Sequence, residues 1–287
     1  MIKAKGNTMR HKRLSLSTVA LWAVFAACSS GCNAQPDMTT QQWQARAQAT
    51  ADNSKQAREV VLDAIYAGQT VPVALAYQTA MQQKPGSQTR MDNFAWAAMM
   101  AEQYEKQRND PIVDEMASQA VHAIKPLITR SRDDVKTPEQ YKIYAAFRPT
   151  NDPMTWLVWA HYLARFIFNA TQEKLDAERA YKKALSLDPT LAEAYYGLAK
   201  LPFNPDDTPY FKMRQSNLLP LLDKAQQLQP KLHPLIVSAR ADLAMHNGNY
   251  KEASQGLREY LRLWPNALNA NLLREDIATF DRMSRKP

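Results

Sequence analysis

The thirteen residues Ala177-Glu178-Arg179-Ala180-Tyr181-Lys182-Lys183-Ala184-Leu185-Ser186-Leu187-Asp188-Pro189 decide how the whole chain is read. Ala177 and Ala184 stand seven residues apart on one helical face, with Tyr181 between them. Small side chains on that face let two helices approach, and the aromatic fills the gap to the next pair. Pro189 then stops the helix, because proline has no amide hydrogen to continue the ladder. Immediately afterwards Tyr195, Leu198 and Ala199 supply an aromatic, a leucine and a small residue at helical spacing. A second run, Ala241, Gly248, Tyr250, Ala253, Leu257 and Pro265, repeats the device, with Tyr260 where a small residue is expected.

Helix-ending prolines at 189, 230 and 265 are separated by 41 and 35 residues. These features resemble the tetratricopeptide repeat, whose period is about 34 residues. The longer interval points to an insertion, placed at Pro202 to Pro209, ahead of the helix that ends in Leu221-Leu222-Asp223-Lys224-Ala225. The resemblance covers residues 155–265 and is faint before them, where Met100, Ala101 and Tyr104 fit the pattern. It implies an all-α fold, a right-handed superhelical stack of antiparallel helix hairpins. Residues 35–150 are then a divergent helical region, 151–265 the repeats and 266–287 a capping helix. Leu268, Leu272, Ile277 and Phe280 are the expected capping contacts.

Composition agrees with a helical chain. Among 287 residues, 45% are hydrophobic, 22% are charged and only 7 are glycine, so few backbone positions need positive φ. From Thr39 to Ala67 the chain reads as one helical stretch that opens as a flexible tether and stops at Gly68. Lys84-Pro85-Gly86 and Asn109-Asp110-Pro111 separate the helices that follow, and Thr137-Pro138-Glu139-Gln140 and Asp152-Pro153 carry helix-start chemistry.

The amino terminus has a different character. Lys3, Lys5, Arg10, Lys12 and Arg13 precede an apolar stretch from Leu14 to Ala27, as in a secretory signal occupying residues 1–34. That stretch is shorter than the roughly 20 residues a spanning helix needs. Cys28 and Cys32, the only cysteines, sit at the expected cleavage point, so no disulfide is expected in the body. Each resembles the acylated cysteine of a bacterial lipoprotein, although Phe25 and Ser29 stand where that pattern prefers leucine. A periplasmic or outer-membrane lipid-anchored location follows. Removing the leader's five basic residues leaves 31 against 28 acidic ones, a net charge of +3 in place of +8. Without a basic surplus in the body, no nucleic-acid partner is expected.

Catalytic chemistry finds no pattern. The histidines at 122, 161, 233 and 246 form no HExxH pair, and no glycine-rich loop is present, so no catalytic, metal or cofactor site is assigned. His122 and His161 are read as core or groove histidines, and Trp156, Trp159, Tyr162 and Phe166 as side chains that join hairpins.

A stack of hairpins has a concave surface that holds peptides or partner helices. By the resemblance, groove-facing positions fall on Glu193, Tyr196 and Lys200, and on Leu235, Ser238 and Asp242. The expected function is an exported adaptor binding a protein or peptide partner in the bacterial envelope, with Tyr196 and Lys200 as contacts. Two alternatives stay open: an enzyme or enzyme accessory with its site in residues 35–150, and a cell-wall-associated binding module. Intact-mass measurement on the exported chain should show a diacylglycerol-modified terminus at Cys28 or Cys32, and a free terminus at Gln35 would refute lipidation.

Overall fold

Proline recurs two residues beyond a helix end at each repeat boundary, and the helices pair as hairpins between these stops. The computed structural model describes residues 38–105, 111–130, 135–165, 171–201 and 217–285. The leader, Cys28, Cys32, Phe166 and the insertion at Pro202 to Pro209 lie outside the described residues.

The described helices are α1 (Thr40–Ala49), α2 (Ser54–Ala67), α3 (Thr70–Gln83), α4 (Gln88–Tyr104), α5 (Pro111–Ile128), α6 (Pro138–Ala146) and α7 (Pro153–Arg165). They continue with α8 (Thr171–Leu187), α9 (Ala192–Lys200), α10 (Leu218–Leu228), α11 (His233–His246), α12 (Tyr250–Leu263) and α13 (Ala270–Met283). No strand occurs among the described residues. None of these helices is long and apolar enough to cross a membrane.

Hairpins α7/α8, α9/α10 and α11/α12 stack in sequence order, and α13 packs on α12. Ahead of them α1 packs on α3 and α2 on α4, while α5 and α7 lean on each other beside α4. The fold is therefore the all-α stack of antiparallel hairpins expected from the sequence. Local punctuation works as read. Gly68 ends α2 at φ 63°, donating to Ala64 and Ile65, and Gly86 turns the chain at φ 85°. Asp152 Oδ1 accepts the Met154 amide at 2.8 Å.

One stretch differs from its reading. The opening turns expected to be a tether fold as α1, with Trp43 1% exposed, and Asn53 caps a new helix by accepting the Gln56 amide at 3.0 Å. His122 is likewise not a core residue: it lies exposed on α5, its Nδ1 2.8 Å from the Ser118 carbonyl. At the other end, Leu268 and Leu272 are exposed instead of capping α12. Leu273 packs on the core, and Phe280 stacks on Tyr250 at 5.9 Å.

The small-and-aromatic spacing does what its chemistry suggests. Ala177, Tyr181 and Ala184 are all at or below 1% exposure. Tyr181 reaches across to α9 and lies against Gly197, where an added methyl would overlap the phenol ring. Gly256 approaches Ala241 in the same way inside the α11/α12 hairpin. Replacing a mid-helix glycine by alanine ordinarily stabilises a helix by about 1 kcal/mol. Gly197→Ala should instead destabilise the protein by about 1–3 kcal/mol through overpacking. Urea unfolding tests this, and the loss should shrink in a Tyr181→Leu background; a stabilised or strictly additive pair would refute the contact.

Candidate functional site: an inner trough occupied by helix α2

Helices α4, α7, α9 and α11 turn one face inward, and α2 lies against that face. Its sequence explains why. Val60, Val61, Leu62, Ala64 and Ile65 are 0–5% exposed, an almost unbroken apolar run that needs neighbours on several sides. Val61, Leu62 and Ile65 line one narrow cavity with Trp96 and Met100 of α4, Tyr196 of α9 and Leu235 of α11. The space left between them is about 20 Å³, room for a single water molecule.

Polar contacts fix α2 along its length. Arg58 Nε donates to Glu193 Oε1 at 3.2 Å, with both side chains nearly buried. Asp63, itself 9% exposed, accepts from Arg46 at 2.5 Å and from Lys231 Nζ at 2.7 Å. Tyr66 donates its hydroxyl to the Lys231 carbonyl at 2.7 Å and presents its ring edge-on to Trp264, 5.2 Å between centroids. Tyr104 and Tyr260 also approach Trp264, at 6.2 and 5.8 Å. Burial holds the Tyr104 and Tyr196 phenols well above their ordinary pKa and pushes Tyr260 to about 12, so all three stay neutral.

The trough floor carries an aromatic relay. Trp96 meets His161 at 5.0 Å, and His161 meets Tyr181 at 5.7 Å, both edge-on. The Tyr181 hydroxyl and His161 Nδ1 are hydrogen-bonded at 2.7 Å. Burial lowers the imidazole pKa to about 4, so the ring is neutral at physiological pH. Thus a single histidine ties α4, α7 and α8 together.

Of the six groove candidates Leu235 is 5% exposed, and the other five separate into two groups. Glu193 and Tyr196 are buried, 7% and 8% exposed, with Glu193 paired to Arg58. Lys200, Ser238 and Asp242 are half-buried, and Lys200 Nζ pairs with Asp242 Oδ2 at 2.5 Å between α9 and α11. The sequence reading did not include Arg58, Asp63, Tyr66, Lys231 or Trp264, which close the trough. Only the α2 apolar run signalled a helix surrounded by others.

Among the described residues no group of three histidine or carboxylate side chains converges as metal ligands. Neither a protein-family model nor a curated protein sequence matches the chain. Among solved structures, a thermophilic TPR protein from Thermus thermophilus is similar over 80% of this chain and 99% of its own, at a TM-score of 0.47 and 14% identity.

Within residues 35–150 burial perturbs one carboxyl strongly. Asp92 is 0% exposed and accepts from Gln88 Nε2 and Thr155 Oγ1, each at 2.9–3.0 Å from both oxygens. Burial raises its pKa from 3.8 to about 7, and nearby Asp152 adds to the shift while the two hydrogen bonds oppose it. The group joins α4 to the start of α7. Its folded pKa lies above the unfolded one, so the folded state binds the extra proton and stability falls as pH rises from about 4 to about 7. Between pH 5.5 and pH 8 that linkage amounts to about 2 kcal/mol. Asp92→Asn should therefore gain stability relative to wild type by about that amount across this interval, measured by urea unfolding; parallel pH profiles would refute the assignment.

Proposed function

We propose that the chain is a protein-binding scaffold of the bacterial envelope, exported by its leader and engaging a protein or peptide partner without catalysing a reaction. The carrying observation is that the hairpin stack already holds a helix along its inner face, through an apolar seam and ion pairs placed along it. That is the chemistry by which helical arrays recognise partner helices. Because α2 takes the deep part of the trough, partner contact falls to its half-exposed rim, at Lys200, Ser238 and Asp242. The Lys200–Asp242 pair offers both charges there, and the hydroxyl of Ser238 lies on the same helix as Asp242.

The leader with Cys28 and Cys32 supports the compartment, and acylation at either would hold the scaffold at a membrane surface. The rim is testable in cells. A photoreactive benzoylphenylalanine in place of Ser238 should give a discrete cross-linked protein on irradiation, whereas the same group in place of exposed Gln227 on α10 should not. Cross-links at neither position, or equal ones at both, would end this reading.

A further inference from the structure

Between α5 and α7 the chain leaves the stack and returns to it. Both ends of the excursion are pinned: the Thr150 amide donates to the Leu127 carbonyl at 2.9 Å, and Trp156 Nε1 donates to the Thr150 carbonyl at 2.8 Å. Helix α6 stands between these ties. Its start is capped locally, the Gln140 amide donating to Thr137 Oγ1 at 3.2 Å while Gln140 Oε1 accepts from the amides of Lys136 and Thr137. At its end Arg148 Nη1 donates to the carbonyls of Ala145 and Phe147, at 3.2 and 2.8 Å.

Despite this built geometry, every α6 residue whose burial is described is exposed, and Tyr141 is 60% exposed. Nine residues are too few for a helix to be stable on its own in water, and ordered excursions of this length usually serve a function. The charges lean to one sign. Residues 130–148 carry five basic side chains, Arg130, Arg132, Lys136, Lys142 and Arg148, against three acidic ones, Asp133, Asp134 and Glu139. The Arg130 guanidinium lies over the Phe147 ring, 5.4 Å from its centroid.

We propose that α6 and its flanks form a contact site for an anionic lipid surface, with the cations meeting headgroup phosphates and Tyr141 entering the interfacial layer. Charge complementarity selects a negative partner. Composition selects lipid over a protein groove. Residues 136–148 contain three aromatics and one branched aliphatic side chain, whereas a helix seated in a groove is anchored by repeated aliphatic residues. Aromatics beside lysine and arginine are the side chains that settle at the headgroup level, ring inward and charge outward. The site is separate from the rim at Lys200, Ser238 and Asp242, so either assignment can fail alone.

A local probe tests it in the full chain. Cys28 and Cys32 are changed to serine, and Tyr141→Cys carries an NBD fluorophore, with Glu275→Cys on exposed α13 as the control position. Whatever attachment residues 1–37 produce, the control position reports it. Phosphatidylglycerol vesicles should blue-shift and brighten the label at 141 several-fold, leave the label at 275 unchanged, and lose their effect in about 0.5 M salt. Lys136→Glu with Lys142→Glu should abolish the response, with circular dichroism unaltered because neither side chain is buried. No response to phosphatidylglycerol, an equal response to phosphatidylcholine, an equal response at both label positions, or a larger response to polyglutamate than to the vesicles would each overturn the proposal.

Discussion

The seating of α2 in the trough is the interaction on which the rest of the structure depends. Without it, α4, α9 and α11 would turn Trp96, Met100, Tyr196 and Leu235 toward solvent as one apolar patch. Full burial of Val60, Val61, Leu62 and Ile65 contributes about 1.5–3 kcal/mol each. Their sum, about 6–12 kcal/mol, matches the whole stability of an ordinary domain. A partner able to evict α2 would have to replace all of it. For that reason α2 belongs to the framework, and the inner face cannot serve as an open peptide groove along its full depth. The nearly buried pair Arg58–Glu193 acts differently, adding little net stability against apolar packing while favouring one register of the helix, and the half-exposed Lys231 holds buried Asp63 in the same register.

What the sequence disclosed and what it concealed follow from the range of the contacts. Ala177, Tyr181, Ala184 and Pro189 were readable because hairpin packing and helix termination are decided within a few turns, and the structure puts Tyr181 against Gly197 of the following hairpin. The helix that lies against α9 and α11 was not readable. Arg58 and Glu193 are 135 residues apart, and no local spacing encodes such a meeting. The break between α1 and α2 was missed although Asp52-Asn53-Ser54 carries a cap signal, because the polar composition of Thr40–Ala49 concealed a helix held chiefly by Trp43. The burial of Trp43 comes from packing among α1, α2 and α3, a tertiary effect that outweighs a weakly apolar helix.

Departures from the repeat pattern prove as informative as matches to it. Tyr260 stands where a small residue was expected, and it contacts Trp264, the ring on which Tyr66 and Tyr104 also converge. A small residue suits a position facing a close-packed neighbouring helix. Here the neighbour is an aromatic cluster assembled from α2, α4 and the end of α12, and a large flat side chain fills that irregular gap. His161 links Trp96 to Tyr181 as a neutral ring. Both residues sit where the amino-terminal helices meet the repeats.

Closure of the trough changes how such a stack behaves as a mechanical object. In an open array each hairpin touches only its neighbours, and stability is close to a sum of repeat and interface terms. Here α2 touches α4, α9, the turn at Pro230–Leu232 and Trp264, so elements far apart in the chain share one contact surface. Loss of any one repeat uncovers part of α2 and weakens its hold on the others. Coupling of this kind replaces independent fraying with collective unfolding and makes the inner face stiff. Parts not bound into that surface, the half-exposed rim of α9 and α11 and the projecting α6, can adjust without straining the core.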